Sequence, residues 1–175
     1  RTKFNARAAG ILGYSVFGRN HFYCLDSNLD LKVDEFLEFI NSFSGKPILF
    51  FGFTYLVWSK FVEKLKSLNL SIDIHPDSLL IHGGGWKKLV DRNISNDYFK
   101  NKLDDVIGLK RVYNYYGMIE QVGSVFMECE NGMLHCSNYS DVIIRNKSNY
   151  SDVGFGQEGL IQVISLLPTS YPGNS

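Results

Sequence analysis

The chain has 175 residues, of which 45% are hydrophobic and 14% aromatic, so it can form one domain with a real core and is not intrinsically disordered. Its 18 basic and 18 acidic side chains cancel, which excludes nucleic-acid or membrane binding through bulk charge but leaves room for a local basic pocket. Three cysteines, an odd number, fit a reducing compartment, and no apolar run reaches the roughly 18 residues of a transmembrane helix. We therefore expect a cytoplasmic protein.

Neither end of the sequence resembles a natural terminus. It begins Arg1-Thr2-Lys3, without methionine and without the segments of a signal peptide, and it stops after Asn174-Ser175. We expect a fragment of a longer protein, truncated at both ends.

The first part of the chain predicts one helix end followed by irregular structure. Small and basic residues at the start predict the end of a helix begun upstream, with Gly10 or Gly13 near its C-terminal cap. Residues 13–18 and 21–25 predict short strands or loop, and Asp26-Ser27-Asn28 predicts a turn.

Residues 48–82 predict a β-α-β unit. The continuous apolar run 48–53 is typical of a strand covered on both faces. Thr54 is placed to cap a helix over 55–68, and 78–82 is a second buried strand. Two strands joined through a helix must run parallel, so their carboxyl ends meet at one sheet edge.

Further elements lie on both sides of this unit. Residues 30–43 have an apolar stripe at helical spacing, and 96–108 predict a polar helix. Residues 112–116, rich in Val and Tyr, predict a third strand of the sheet.

A hairpin is predicted around Asn131-Gly132, a strong signal for a two-residue loop. Such a loop would pair Cys129 with Leu134 and Met127 with Cys136. The following residues would then share one apolar face: Val125, Met127, Cys129, Leu134 and Cys136.

Two more strands are predicted at 141–145 and 159–167, separated by a polar, glycine-rich loop at 146–157. The predicted fold class is α/β, with a mixed sheet followed by an antiparallel β section. We divide it into an α/β nucleotide-binding part, 1–123, and a β-rich part of the same domain, 124–175.

Three consecutive glycines follow the second strand directly, as His82-Gly83-Gly84-Gly85. Ligands of open α/β sheets bind at such carboxyl ends, and bare backbone lets a base or phosphate approach closely. A turn without a ligand fits the same residues. Trp86 either stacks on a ligand or packs in the core, and Lys87 or Lys88 either reaches a phosphate or is solvated.

The stretch 115–123 combines an aromatic residue, a glycine and a carboxylate. Tyr116 offers a flat face to a base, Gly117 predicts a sharp turn that ends the strand, and Glu120 offers oxygen to Mg²⁺. A strand, a turn and a helix cap with no ligand is the alternative interpretation.

Other chemistries fit less well. A lipase-type site needs G-x-S-x-G after the glycines, and a P-loop needs G-x-x-x-x-G-K-[ST]; neither occurs. The spacing of Cys129, His135 and Cys136 is not that of a zinc site, so core packing is the better explanation for these residues. Cys24 is most simply a buried small residue.

Together these segments resemble the acyl-protein synthetases of the LuxE type, members of the adenylate-forming superfamily that also contains phenylacetate–CoA ligase. The resemblance extends over nearly the whole chain. It is carried by the segments 51–54, 79–89, 115–123 and 166–173.

The resemblance implies that a carboxylate and ATP give an acyl-adenylate and pyrophosphate, after which a thiol takes the acyl group. It also implies that Gly83, Gly84 and Gly85, with Trp86 and Lys87, lie beside ATP. Tyr116, Gly117 and Met118 correspond to the motif Tyr-Gly-x-Thr-Glu, and Glu120 to its catalytic, magnesium-binding glutamate. The implied cofactors are ATP and Mg²⁺.

The sequence departs from the superfamily pattern in two ways. Ile119 replaces the motif threonine, which favours the acyl-protein synthetases over the CoA ligases. The second departure is that three parts implied by the resemblance are not among these 175 residues. We expect a phosphate loop upstream of Arg1, a ribose-binding aspartate after Ser175, and a further domain with a catalytic lysine. We expect the 175 residues alone to bind nucleotide weakly and not to turn over.

Three functions stay open from the sequence: an acyl-protein synthetase, an acyl- or aryl-CoA ligase, and a non-catalytic relative of the fold. The expected partners are a carboxylic acid, with a fatty acyl acid favoured, and a thiol on a protein cysteine, a carrier protein or CoA.

Overall fold

The chain forms two compact units, Arg1–Asn114 and Tyr115–Ser175. The structure, a computed structural model, describes residues 6–118, 121, 123–167 and 173–174. Within that part of the chain, no helix has the length and apolar character needed to cross a bilayer. The division predicted at residue 123 concerns function and stays a prediction.

The first unit alternates helices and strands. Its described elements in chain order are α1 (Ala6–Ser15), α2 (Val33–Ser42), β1 (Leu49–Phe53), α3 (Thr54–Leu56), a π-helical segment (Val57–Val62), α4 (Glu63–Ser67), β2 (Leu79–Gly83), a 3-10 helix (Lys87–Arg92) and α5 (Asn96–Ile107). Strand β3 (Arg111–Gly117) begins in this unit.

The predicted β-α-β unit is confirmed. Strands β1 and β2 pair in parallel, in a register that runs from Leu49 opposite Leu79 to Phe53 opposite Gly83. The connection between them is a helix that changes its winding, from α3 through the π-helical segment Val57–Val62 to α4. Such a crossover lets the two strands run parallel, and because they run parallel their carboxyl ends lie side by side.

The core of the first unit is built from helix stripes packed on the strands. Helix α5 presents buried Phe99, Leu103 and Val106 at helical spacing, and Ser95 caps its start by accepting a hydrogen bond from the Tyr98 amide (3.1 Å). Burying each large apolar side chain contributes about 1.5–3 kcal/mol. The largest fully buried apolar side chains of the unit are Phe36, Val62, Leu65, Phe99, Leu103, Ile107 and Leu109.

Helix α1 extends further than predicted. It continues through Gly10 and Gly13 to Ser15, so the expected cap at either glycine is wrong. The carbonyl of Ser15 accepts hydrogen bonds from the Gly18 amide (3.1 Å) and from Nε2 of His21 (2.9 Å). These bonds satisfy a carbonyl that the helix end leaves without an intrahelical partner, and the helix therefore ends there.

The second unit is made of strands. The described strands are the end of β3, then β4 (Val125–Glu128), β5 (Leu134–His135), β6 (Ser140–Arg145), β7 (Leu160–Ser165) and β8 (Gly173–Asn174). Strands β1 to β5 form a sheet in the order β1-β2-β3-β4-β5, and β6, β7 and β8 form a second, antiparallel sheet. The predicted mixed sheet followed by antiparallel strands is confirmed.

The predicted register of the β4–β5 hairpin is wrong by one residue. Met127 lies opposite His135 and Glu128 opposite Leu134, and the Cys129 amide donates to the Met133 carbonyl (2.8 Å). The loop therefore has three residues, with Gly132 in the left-handed conformation (φ +74°), a geometry that suits strand twist as well as the two-residue loop does.

The hairpin face is also different from the prediction. Phe126 (4% exposed) and Glu128 (6%) are buried, whereas Val125 and Leu134 are exposed at 39% and 46%. A shift of one residue moves a side chain to the opposite face of a strand. Phe126, the larger apolar side chain, takes the inward position, and Val125 beside it points outward.

The backbone of β6 passes very close to Gly159, the residue before β7. A Cβ at Gly159 would overlap the Arg145 carbonyl oxygen and lie 2.7 Å from Cγ2 of Ile144. Backbone cannot yield as a flexible side chain does, so we expect Gly159→Ala to lower the free energy of unfolding by about 2 kcal/mol in urea titration. Gly154→Ala is the control: its Cβ would meet no atom within 4 Å. Equal midpoints for the two variants would contradict the close approach.

Candidate functional site

The carboxyl ends of β1 and β2 bring two sequence motifs together. Gly52 lies opposite His82 and Phe53 opposite Gly83, so Thr54 and the glycine triplet leave the sheet at the same edge. Such an edge of a parallel sheet is where α/β proteins place their ligands.

Thr54 joins these two strand ends. Its hydroxyl donates to the Gly83 carbonyl (3.1 Å) and, having one proton, accepts from Nδ1 of His82 (3.0 Å), which places the imidazole proton on Nδ1. All three residues are buried. The predicted role of Thr54 as a helix cap is wrong, because Phe53 holds the cap position of α3 and Thr54 is the first residue of that helix. The Thr54 hydroxyl bonds to the neighbouring strand instead.

Of the glycine triplet, Gly83 is buried at the end of β2, and Gly84 and Gly85 form an exposed bend of bare backbone. Gly84 and Gly85 have φ angles of +81° and +66°, a left-handed conformation that favours glycine. A Cβ at Gly84 would lie 3.1 Å from the ring of Phe53, whereas a Cβ at Gly85 would meet nothing within 4 Å. The open side at Gly85 is therefore where a flat group can approach the main chain.

The two residues after the bend point to different surroundings. The Trp86 ring packs edge-on against Phe99 (5.6 Å between centroids) and Trp58 (6.0 Å), so the indole belongs to the core packing. Lys87 is exposed and has a left-handed φ of +52°. The side chain of Lys88 is not among the described ones.

A small basic cavity of about 270 Å³ lies in the first unit and includes Lys87. We call it the basic cavity; its lining residues are Arg7, Tyr55, Ser59, Lys87 and Leu89. Arg7 donates to the Tyr55 hydroxyl (3.1 Å), and the Ser59 hydroxyl donates to the Tyr55 carbonyl (2.6 Å). The lining carries two cations and no carboxylate, which favours an anionic ligand.

A larger cavity of about 600 Å³, which we call the apolar cavity, lies between α1, α2, β1 and the loop 17–26. Its walls include stacked pairs of aromatic rings, Tyr14 on Phe51 (4.5 Å) and Phe22 on Phe39 (5.1 Å). Its volume is in the range of small-molecule pockets.

Cys24 lies on the wall of the apolar cavity and is partly buried. Burial raises the pKa of its thiol to about 11, against the opposing effect of the Lys32 ammonium group. The thiol is therefore neutral at physiological pH and behaves as a small apolar group, as predicted.

In the second unit, Gly117 ends the strand as predicted, although it still belongs to the strand. It is the last residue of β3 and lies opposite Val125, because pairing with β4 keeps it extended. The chain turns afterwards, where the Gln121 amide donates to the Met118 carbonyl (3.1 Å) and the Ser124 amide to the Gln121 carbonyl (3.1 Å).

Tyr116 has the partial exposure that a stacking role needs. The residue is 38% exposed, and its ring lies against that of Phe126, with 5.9 Å between the centroids. Glu120 lies outside the described residues. The roles predicted for Tyr116, Gly117, Met118 and Glu120 in the second unit therefore stay predictions.

No group of three or more His, Cys, Asp or Glu side chains within the described ranges could hold a metal ion. Because Glu120 falls outside those ranges, the magnesium site stays a prediction. His135 and Cys136 are exposed and Cys129 is partly buried, so the expectation that the hairpin cysteines pack in the core is wrong for Cys136.

The family model of the acyl-protein synthetases, LuxE, matches residues 2–175. This chain belongs to the LuxE acyl-protein synthetase family. The resemblance inferred from the glycine triplet and the Tyr-Gly segment is thereby confirmed. No curated protein matches the chain.

Among solved structures, this LuxE-family chain is similar to a long-chain-fatty-acid–CoA ligase (FadD1) from Archaeoglobus fulgidus, with a TM-score of 0.55 and 14% sequence identity. The match covers 77% of this chain and 27% of the ligase chain. At this identity the likeness shows the fold alone: the chain has the architecture of part of that ligase.

Sequence reasoning missed three features of the LuxE-family chain: the bridging role of Thr54, the apolar cavity and the place of Arg7. The bridging role of Thr54 could have been found from the sequence. Thr54 follows the end of one strand directly, and the glycines stand at the corresponding end of its parallel neighbour. The cavities could not be found, since their walls come from segments far apart in sequence.

Replacing Thr54 tests the link between the strand ends. Thr54→Val keeps the shape of the side chain but leaves Nδ1–H of His82 and the Gly83 carbonyl without this partner in a buried place. We expect a loss of about 2 kcal/mol in the free energy of unfolding, measured in urea. Thr54→Ser, which keeps the hydroxyl, should lose less than half as much; the opposite order would show that packing of the methyl group is what matters.

Proposed function

We propose that the protein activates a carboxylic acid, with a fatty acyl acid favoured, as its acyl-adenylate at the expense of ATP and transfers the acyl group to a protein or carrier thiol. Membership of the LuxE acyl-protein synthetase family over residues 2–175 carries this proposal. The fold shared with part of a fatty-acid–CoA ligase is consistent with it.

The proposed chemistry has two steps. A carboxylate oxygen of the acid attacks the α-phosphorus of ATP, so that a new C–O–P linkage forms and the bond to pyrophosphate breaks. A thiolate then attacks the acyl carbonyl, the thioester forms and AMP leaves. In both steps negative charge develops on oxygen atoms, which preorganised donors and cations stabilise.

The glycine bend supports the nucleotide part of the proposal. The backbone at Gly84 and Gly85 is exposed and has a left-handed conformation. Because both residues are glycines, no side chain lies between a ligand and the main chain. The hydrogen bonds of Thr54 to Gly83 and His82 hold the preceding residues in place. A binding surface that is already ordered costs less conformational entropy when the ligand arrives.

The apolar cavity supports the choice of a long acyl substrate. Aromatic and aliphatic side chains cover most of its wall, and hydrocarbon surface moved there from water contributes about 0.8 kcal/mol per methylene group. We propose that the acyl chain occupies this cavity.

Glu120 is proposed as the magnesium ligand and Tyr116 as the stacking partner of the adenine, on the family correspondence alone.

Exchange of labelled pyrophosphate into ATP by the full-length protein tests the proposed activity. We expect exchange that requires a fatty acid, and a drop of at least about 100-fold for Glu120→Ala if its charge acts in the transition state. Glu158→Ala, an exposed carboxylate in a loop, is the matched control. Exchange that is indifferent to Glu120→Ala would support a non-catalytic role for that motif, and AMP release that depends on CoA would identify a CoA ligase.

Filling the apolar cavity tests the proposed acyl pocket. Ile11 lines the cavity from α1, so Ile11→Trp should shift the preferred acid to a shorter chain, with roughly a ten-fold lower kcat/KM for the longest substrate. Leu12→Trp on the same helix is the control, because Leu12 is exposed and not part of the wall. An unchanged chain-length profile for Ile11→Trp would place the acyl chain elsewhere.

A further inference from the structure

Arg7 lies on the walls of two different cavities. It lines the basic cavity together with Lys87 and the Tyr55 hydroxyl, and it also lines the apolar cavity. Among the described residues, no other one lines both of these cavities. One exposed cation therefore lines both a largely apolar space and a basic one.

The guanidinium group of Arg7 is held in place by contacts that leave most of its N–H donors available. One nitrogen donates to the Tyr55 hydroxyl (3.1 Å), and the group lies 5.7 Å from the centre of the Phe53 ring. Guanidinium has five N–H donors in a planar fork, so most of them stay available for an oxyanion. The Tyr55 hydroxyl accepts from Arg7, and its own proton is therefore free to point at the same ligand.

The charge around Arg7 is not neutralised locally. No described carboxylate forms an ion pair with Arg7 or Lys87, whereas Arg92 pairs with Glu63 and Lys60 with Asp30 on the same unit. Two cations on one small cavity repel each other unless an anion lies between them. An amphipathic anion, with a hydrocarbon tail and a charged head, matches both cavities at once.

We propose that Arg7 binds the carboxylate of an acyl acid whose hydrocarbon chain occupies the apolar cavity, and that Lys87 strengthens the positive potential on the other side of this head group. This inference rests on the proposed function for the class of substrate. It adds the residue that orients the acid, so that the carboxylate faces the basic cavity and the chain points away from it.

Binding without ATP tests this inference separately from catalysis. Titration calorimetry on the full-length protein would compare dodecanoate with dodecanol, which have the same chain but a charged and a neutral head. We expect Arg7→Gln to weaken dodecanoate binding about ten-fold and to leave dodecanol binding unchanged, because only the charge-assisted bond is lost. Arg7→Lys should restore part of the preference for the acid.

Arg92→Gln is the matched control for loss of one positive charge, since Arg92 lines neither cavity and pairs with Glu63. Equal weakening of dodecanoate and dodecanol by Arg7→Gln would overturn the proposal, as a structural defect would act on both. Loss of the acid preference in Arg19→Gln, another cation that lines the apolar cavity, would place the head group at Arg19 and overturn the assignment to Arg7. Dodecanoate binding that needs Arg7 while pyrophosphate exchange is absent would leave this site standing and reject only the proposed activity.

Discussion

The hydroxyl of Thr54 is the contact on which the carboxyl edge of the first unit depends. Thr54 is the first residue after β1, and the two hydrogen bonds of its hydroxyl reach the last two residues of β2. A buried hydroxyl with both partners satisfied fixes the relative height of two strands more sharply than apolar packing can, because hydrogen bonds are directional. The glycine bend leaves the sheet from this fixed point.

Much of the first unit could be predicted from the sequence. The apolar run 48–53, the second run ending at His82, and a helix-length segment between them allow only a parallel β-α-β arrangement. Helix α5 was equally accessible, since Ser95 and Gly108 are typical residues for the two helix ends. In both cases the signal is local, and tertiary packing reinforces it.

The predictions that were wrong concern choices that local sequence leaves balanced. Asn131-Gly132 is typical of a two-residue loop, but the chain forms a three-residue loop with Gly132 in the left-handed conformation, which such residues also allow. The strand predicted at 112–116 includes one more residue, because Gly117 still pairs with Val125 of β4. Arg7 is one basic residue among several near the start of the sequence, and only the folded chain shows that two cavities meet there.

The wall of the apolar cavity has a consequence for how such proteins diverge. Residues 17–26 supply much of that wall, yet they contribute only one isolated β-bridge, Leu25 with Leu31, to the regular structure. Exchanging side chains in this loop can therefore reshape the space for a tail without disturbing the strand ends or the bend that follows β2. Under the proposed function, family members that act on different acids are expected to differ in this loop first, so that substrate choice evolves separately from the strand ends that carry the glycine bend.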